Sequence, residues 1–128
     1  MGSGRVWEEE ARVTSAKWLS QVKRGLLELC ILNLVGRERM YGYQIVKRLA
    51  EVPGLVVTEG TIYPLLSRLK REGLLESRLV ESPNGPARRT YGLTREGRRH
   101  MRSINESWSE IAEAVQRFMD GAMNEEER

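Results

Sequence analysis

Residues 58–75 read TEGTIYPLLSRLKREGLL. Ile62, Leu65, Leu66 and Leu69 recur at the spacing that brings side chains to one face of a helix, so that face is expected to be buried. Pro64, Ser67, Arg68 and Arg71 fall on the other. Four aliphatic anchors beneath a proline, a hydroxyl and two guanidinium groups give an outer face suited to an anionic groove. Gly73 is the expected stop. Thr58 is the expected N-cap, with a distorted start because Pro64 sits beyond the first turn; Thr61 is the alternative cap.

Downstream, the strand-like runs LLESRLVES (74–82) and ARRTYGLT (87–94) flank PNGP (83–86). An Asn-Gly pair between such runs predicts a hairpin in which both turn residues take positive φ, and the flanking Pro83 and Pro86 predict a longer, exposed tip. Arg88 and Arg89 open the returning strand. Helices followed by a hairpin with a basic return strand are the layout of a winged helix-turn-helix.

Upstream, Met40–Val52 (MYGYQIVKRLAEV) is expected as a helix with Ile45, Val46 and Leu49 inward, Lys47 and Arg48 outward, and Pro53-Gly54 as its end. Leu55–Val57 follows as a short extended passage. Before it, Gln21–Gly36 is apolar almost all round from Leu26 to Val35, so it is expected to be buried on every side and to serve both the core and a partner subunit. Ser20 is its expected cap and Gly36 its expected left-handed close. Cys30 within this run is expected to be a small buried hydrophobe. Residues 5–19 place Trp7, Ala11, Thr14 and Trp18 on one stripe, predicting an additional N-terminal helix that docks on the body of the fold or on a second subunit. Met1–Gly4 (MGSG) reads as a cloning remnant and is set aside from fold reasoning.

Thr94 is the expected cap of the last helix, whose first turns carry Arg95, Arg98, Arg99, His100 and Arg102. Met101, Ile104, Trp108, Ile111, Val115 and Phe118 then alternate by three and four residues, the seam of a helix that pairs with another subunit. The expected organisation is an N-terminal extension (1–19), a DNA-binding domain (20–94), a dimerisation helix (95–122) and a disordered tail (123–128). The fold class is mainly α with a small β-hairpin wing.

The 128 residues allow one domain with appendages. The net charge of +3 is unevenly spread: residues 58–103 hold ten Lys/Arg against five Asp/Glu, and residues 104–128 two against seven. A basic centre fits a polyanion, and a solvated charged face equally. The absence of a signal segment or a spanning apolar run predicts a cytoplasmic protein without a membrane partner. One Cys and one His, with no phosphate-binding glycine loop and no paired histidines, argue against an enzyme and against a metal or other cofactor. A metal or redox sensor through Cys30 and His100, and a protein-interaction module with a basic wing, are the rival readings. For duplex DNA the candidate contacts are Thr61, Tyr63, Pro64, Ser67, Arg68 and Arg71 on the helix, and Asn84, Gly85, Arg88 and Arg89 on the wing.

The pieces GLLELCIL, MYGYQIVKRL, EGTIYPLLSRLKREGLLES and GPARRTYGLTREG, in that order between Val22 and Met101, resemble the PadR family of bacterial winged-helix repressors. The resemblance implies a homodimer joined by the first and last helices, here through Leu26, Leu29, Ile104, Trp108, Ile111, Val115 and Phe118. It also implies a promoter inverted repeat as target. The single C-terminal helix is similar to the short subfamily, and LTREGRRHMRSINESWSEI to its multidrug-binding members. That likeness implies a small aromatic or drug-like effector at Trp108, flanked by Met101 and Ile104; filling the dimer interface is the other role open to Trp108. The N-terminal Trp7/Trp18 segment departs from those members.

Overall fold

In the computed structural model, which describes residues 3–126, the elements run α1 (Ser3–Arg37), β1 (Met40–Tyr41), α2 (Gly42–Ala50), α3 (Glu59–Arg71), β2 (Leu75–Ser82), β3 (Gly85–Leu93) and α4 (Arg95–Glu126). The three strands form one antiparallel sheet in the order β1-β3-β2. The core gathers Leu27, Ile31, Leu32 and Val35 of α1, Ile45 and Leu49 of α2, Ile62, Leu66 and Leu69 of α3, and Leu75, Met40 and Tyr91 of the sheet. Removing an aliphatic side chain of this size from water is worth about 1.5–3 kcal/mol. The helices therefore hold together through this shared cluster.

The N-terminal segment is helical, but it is not a separate helix. Ser20 caps nothing: its hydroxyl donates to the Ala16 carbonyl inside an unbroken α1 (3.1 Å). Gly36 does not close the helix in a left-handed conformation either, since the only positive-φ residues described are Gly54 and Gly73. It lies in close packing instead: a Cβ there would stand 2.9 Å from the Met101 sulfur and 3.1 Å from Leu93, so those side chains would have to shift. Met40 and Tyr41 are a strand rather than the first turn of α2, pairing with Tyr91 and Thr90. At the far end α4 continues helically through the expected disordered tail to Glu126; residues 127–128 lie outside those described.

The wing tip is shorter than expected. Ser82 pairs directly with Gly85, leaving Pro83 and Asn84 as the turn, and neither Asn84 nor Gly85 has positive φ. The reason lies in Pro83, whose ring fixes φ near −65° at the first turn position and so bars the mirror-image turn. The resulting mismatch with strand twist is taken up by an irregularity between Val80 and Ser82. Pro86 lies inside β3, tolerated because β1 pairs only with Thr90 and Tyr91 and leaves that edge of β3 open here.

α3 ends in a Schellman motif. Gly73 (φ 79°) N–H donates to the Lys70 carbonyl and Leu74 N–H to that of Leu69, both at 3.0 Å. Thr94 joins this end to α4: its N–H donates to the Leu74 carbonyl (3.1 Å), its hydroxyl donates to the Gly73 carbonyl, and its Oγ1 accepts from Gly97 N–H (2.9 Å). A Cβ on Gly97 would stand 2.0 Å from the Leu74 carbonyl oxygen, backbone that cannot swing aside. Gly97→Ala is therefore expected to destabilise the fold by about 1–3 kcal/mol despite the higher helix propensity of alanine. Gly121→Ala, with nothing within 4 Å of its added carbon, is expected to be neutral or stabilising. Urea unfolding of the two variants beside the parent measures the contrast.

Candidate nucleic-acid interface

The buried face of α3 is the one expected: Ile62, Leu66 and Leu69 are inaccessible and Leu65 half-buried. Thr61, Pro64, Ser67 and Arg71 are exposed on the other side, with Arg68 and Tyr63 close by and partly exposed. Thr58, not Thr61, is the N-cap residue, its carbonyl accepting from Thr61 and Ile62 N–H at 3.1 Å. No side-chain bond caps the helix; the Thr58 and Thr61 hydroxyls pair with each other instead (3.2 Å). Pro64 lies inside the helix, so the Gly60 carbonyl loses its usual donor.

Two clefts border this face. One, about 460 Å³, is lined by Tyr41, Gly42 and Tyr43 at the start of α2, Tyr63 of α3, and Arg88, Arg89 and Tyr91 of β3. It sets the flank of α3 beside the wing arginines. Gly42 makes this possible: a Cβ there would come within 2.7 Å of the Tyr63 ring. Arg89 is steadied by donating to the Ser77 hydroxyl (2.8 Å). Burial pushes the Tyr91 phenol up; nearby Arg89 opposes the shift and Tyr63 adds to it. Asn84 and Gly85 are exposed at the wing tip.

The second cleft joins Thr61, Pro64, Leu65, Arg68 and Arg71 to Arg24 and Leu27 of α1. Arg24 was not singled out in the sequence, where it is one of two adjacent cations in a helix; only the packing of α1 beside α3 brings it here. Arg68 donates to Glu72 Oε1 (2.9 Å) one helical turn on. A solvent-exposed pair of this kind is worth about 0–1 kcal/mol, so the guanidinium is easily released to another acceptor. The charged turn at residues 36–39 also has a role that its composition hides. Arg39 pairs with Glu76, donates to Thr90 Oγ1 (3.3 Å) and lies over Gly92, tying the root of the wing to the end of α1.

Residues 31–103 match the Transcriptional regulator PadR-like family. The chain belongs to that family. Among solved structures it is similar to a PadR-like transcription factor of Bacteroides fragilis, 41% identical with a TM-score of 0.67, covering 80% of this chain and 98% of that one. A transcriptional regulator of Mycobacterium tuberculosis is 32% identical over 99 residues, 76% of this chain and 89% of its own. Bacillus subtilis PadR, solved in complex with operator DNA, is 26% identical with a TM-score of 0.57 over 62% of this chain and 45% of that one. PadR-like proteins are regulators of transcription, and no helix among the described residues of this one is long and apolar enough to cross a membrane.

The remaining candidates lie away from this face. Ile104 and Trp108 of α4 line a groove of about 300 Å³ with Leu26 and Leu29 of α1, whereas Met101 packs on Gly36. Trp108, Ile111, Val115 and Phe118 are exposed along α4. Trp7, Ala11 and Trp18 are exposed along α1, and the side chain of Thr14 lies outside the described residues. Asn33 and Asn105 exchange amide hydrogen bonds (2.7 and 2.9 Å), joining α1 to α4. His100 faces Glu28 (3.7 Å), and Cys30 lines a cleft between α1 and α2. No group of three His, Cys, Asp or Glu able to hold a metal occurs among the described residues. Burial raises the Cys30 thiol pKa, so at a given pH less of it is thiolate, the reactive form. Alkylation of Cys30 by iodoacetamide at pH 8 is accordingly expected to be slower than that of free cysteine, with its midpoint displaced to higher pH; mass spectrometry across pH 7–10 checks this.

Proposed function

We propose that the protein is a homodimeric repressor that binds an inverted repeat in duplex DNA and is released by a small aromatic ligand. One observation carries the DNA half of the reading: Tyr63, on the flank of α3 next to its exposed outer residues, shares one cleft with the wing arginines Arg88 and Arg89. α3 enters the major groove, where Arg68 reads a guanine edge and Thr61 or Ser67 a base or phosphate. Tyr63, Pro64 and Arg71 pack along the backbone. The wing, with Asn84, Gly85, Arg88 and Arg89, reaches adjacent phosphates and adds sequence-independent affinity. The operator complex of Bacillus subtilis PadR supports the same use of the shared fold.

Dimer formation is supported by the exposed seam of α4 and by the incomplete groove at Trp108. Two recognition helices must stand about 34 Å apart to meet successive turns of DNA. A flat ligand on Trp108, between Ile104 and Leu29, changes the angle between subunits and moves one helix out of register. The coupling required is on the order of 1–3 kcal/mol.

Arg68→Ala is expected to weaken operator binding about 10- to 100-fold while sparing non-specific binding. Arg88→Ala/Arg89→Ala is expected to weaken both and to reduce the salt dependence by about two counterions. Glu72→Gln, which frees Arg68 and removes a carboxylate facing phosphate, is expected to tighten binding a few-fold. Fluorescence anisotropy with the upstream region of the gene, at several salt concentrations and with competitor DNA, separates these effects; unchanged specific binding by Arg68→Ala removes α3 from the account. For the ligand, equal fluorescence quenching of the parent and Trp108→Phe removes Trp108.

A further inference from the structure

The first half of α1 is the largest feature that the proposed DNA reading leaves unused. α1 spans about 52 Å at 1.5 Å per residue, and the family match begins only at Ile31. Trp7 and Trp18 are eleven residues apart, three helical turns, and so share one side of the helix. Both stand in water on the single chain, at 74% and 59% exposure. Val22 and Leu29 continue the same stripe into the Trp108 groove, so the exposed tryptophans are an outward extension of one apolar face. Exposed tryptophan at this density marks a contact surface.

α4 carries the matching half. It runs antiparallel to α1, with Met101 beside Gly36, Asn105 on Asn33, and Trp108 near Val22 and Gly25. Beyond that joint its own apolar stripe is left bare, with Phe118 76% exposed. The charges differ: residues 3–24 hold five Lys/Arg and three carboxylates, the latter at Glu8, Glu9 and Glu10 beside Trp7, whereas residues 106–125 hold five carboxylates and one arginine. The protomer does not bring its own two outer segments together, since both stay exposed. A second copy offers each of them a complement.

We propose that the N-terminal half of α1 is a clasp that docks, through Trp7 and Trp18, on the acidic distal half of α4 of a second copy. The inference rests on the homodimer proposed above and extends the α1 contact outward from Leu26 and Leu29, the α1 residues that the family resemblance implies, to Trp18 and Trp7. A two-fold axis makes the contact twice. At their stated exposures, the four tryptophans of a dimer remove on the order of 400–670 Å² from water, a substantial part of a standard interface. Lys17, next to Trp18, flanks this apolar strip and meets the carboxylates beside the α4 stripe. The clasp also closes the outer end of the Trp108 groove, which one chain leaves open.

Trp7→Glu/Trp18→Glu in the full-length protein tests the clasp, because both side chains are exposed on the single chain and their loss leaves its core intact. Sedimentation equilibrium is expected to show a dimer dissociation constant raised at least tenfold, with helical content by circular dichroism unchanged. Carbodiimide cross-linking of mixed isotope-labelled and unlabelled parent chains is expected to join Lys17 to α4 carboxylates between chains. A dimeric parent whose dissociation constant the double variant shifts less than twofold overturns the clasp and leaves the dimer standing. Lys17 cross-links confined to one chain overturn it as well. A parent that stays monomeric at all concentrations overturns the dimer reading and the clasp together.

Discussion

Everything positioned on this molecule depends on how α3 is seated. Ile62, Leu66 and Leu69 are fully withdrawn from water against α1 and α2, and a helix so anchored has no freedom to roll. Its opposite face is therefore obliged to look outward, whatever its composition. The Schellman turn at Gly73 and the Thr94 bonds to Gly73 and Leu74 fix the end of the same helix to the start of α4. The turn that ends α3 and the residue that caps α4 are thus joined directly, at Gly73, Leu74 and Thr94.

A second constraint runs through α1. Its inner half is apolar on several faces because it packs on α2, α3, the sheet and α4 together. Gly36 lets α4 and β3 approach its end, and the Asn33–Asn105 pair fixes which turn of α4 lies against which turn of α1. A reciprocal amide pair at a half-buried helix crossing leaves neither group unsatisfied only in one register, so it specifies alignment more than it adds stability. Arg39 performs a similar service at the wing, where its bonds to Glu76 and Thr90 keep the sheet at a set distance from α1.

These constraints divide the surface into two working regions. The α3–wing face is cationic and presented by a helix anchored in the core, suited to an anionic partner. The α1–α4 outer segments are long and apolar on one side, a feature that a single chain leaves unmatched. Regulation in the proposed scheme is mechanical: what happens between the long helices is transmitted through Thr94 and Gly73 to the helix that meets DNA.

Periodicity and punctuation were enough to read the helix-turn-helix, the hairpin, the outward residues of α3 and the exposed seam of α4. These are properties of spacing within a few turns, and a 3.6-residue or two-residue period imposes them before any tertiary contact forms. Where two local signals conflicted, sequence reading failed: Ser20 can cap or continue a helix, and only the packing of the inner half of α1 is long-range enough to favour continuing. Asn84-Gly85 suggested one turn and Pro83 enforced another. Arg24, Arg39, Gly42 and Gly97 were invisible because their partners lie tens of residues away in the chain, brought close only when α1, α3, the sheet and α4 share one core. The sequence by itself determined which faces are apolar and which are charged; the tertiary structure decided which of them meet, since that depends on approach distances that no local spacing records.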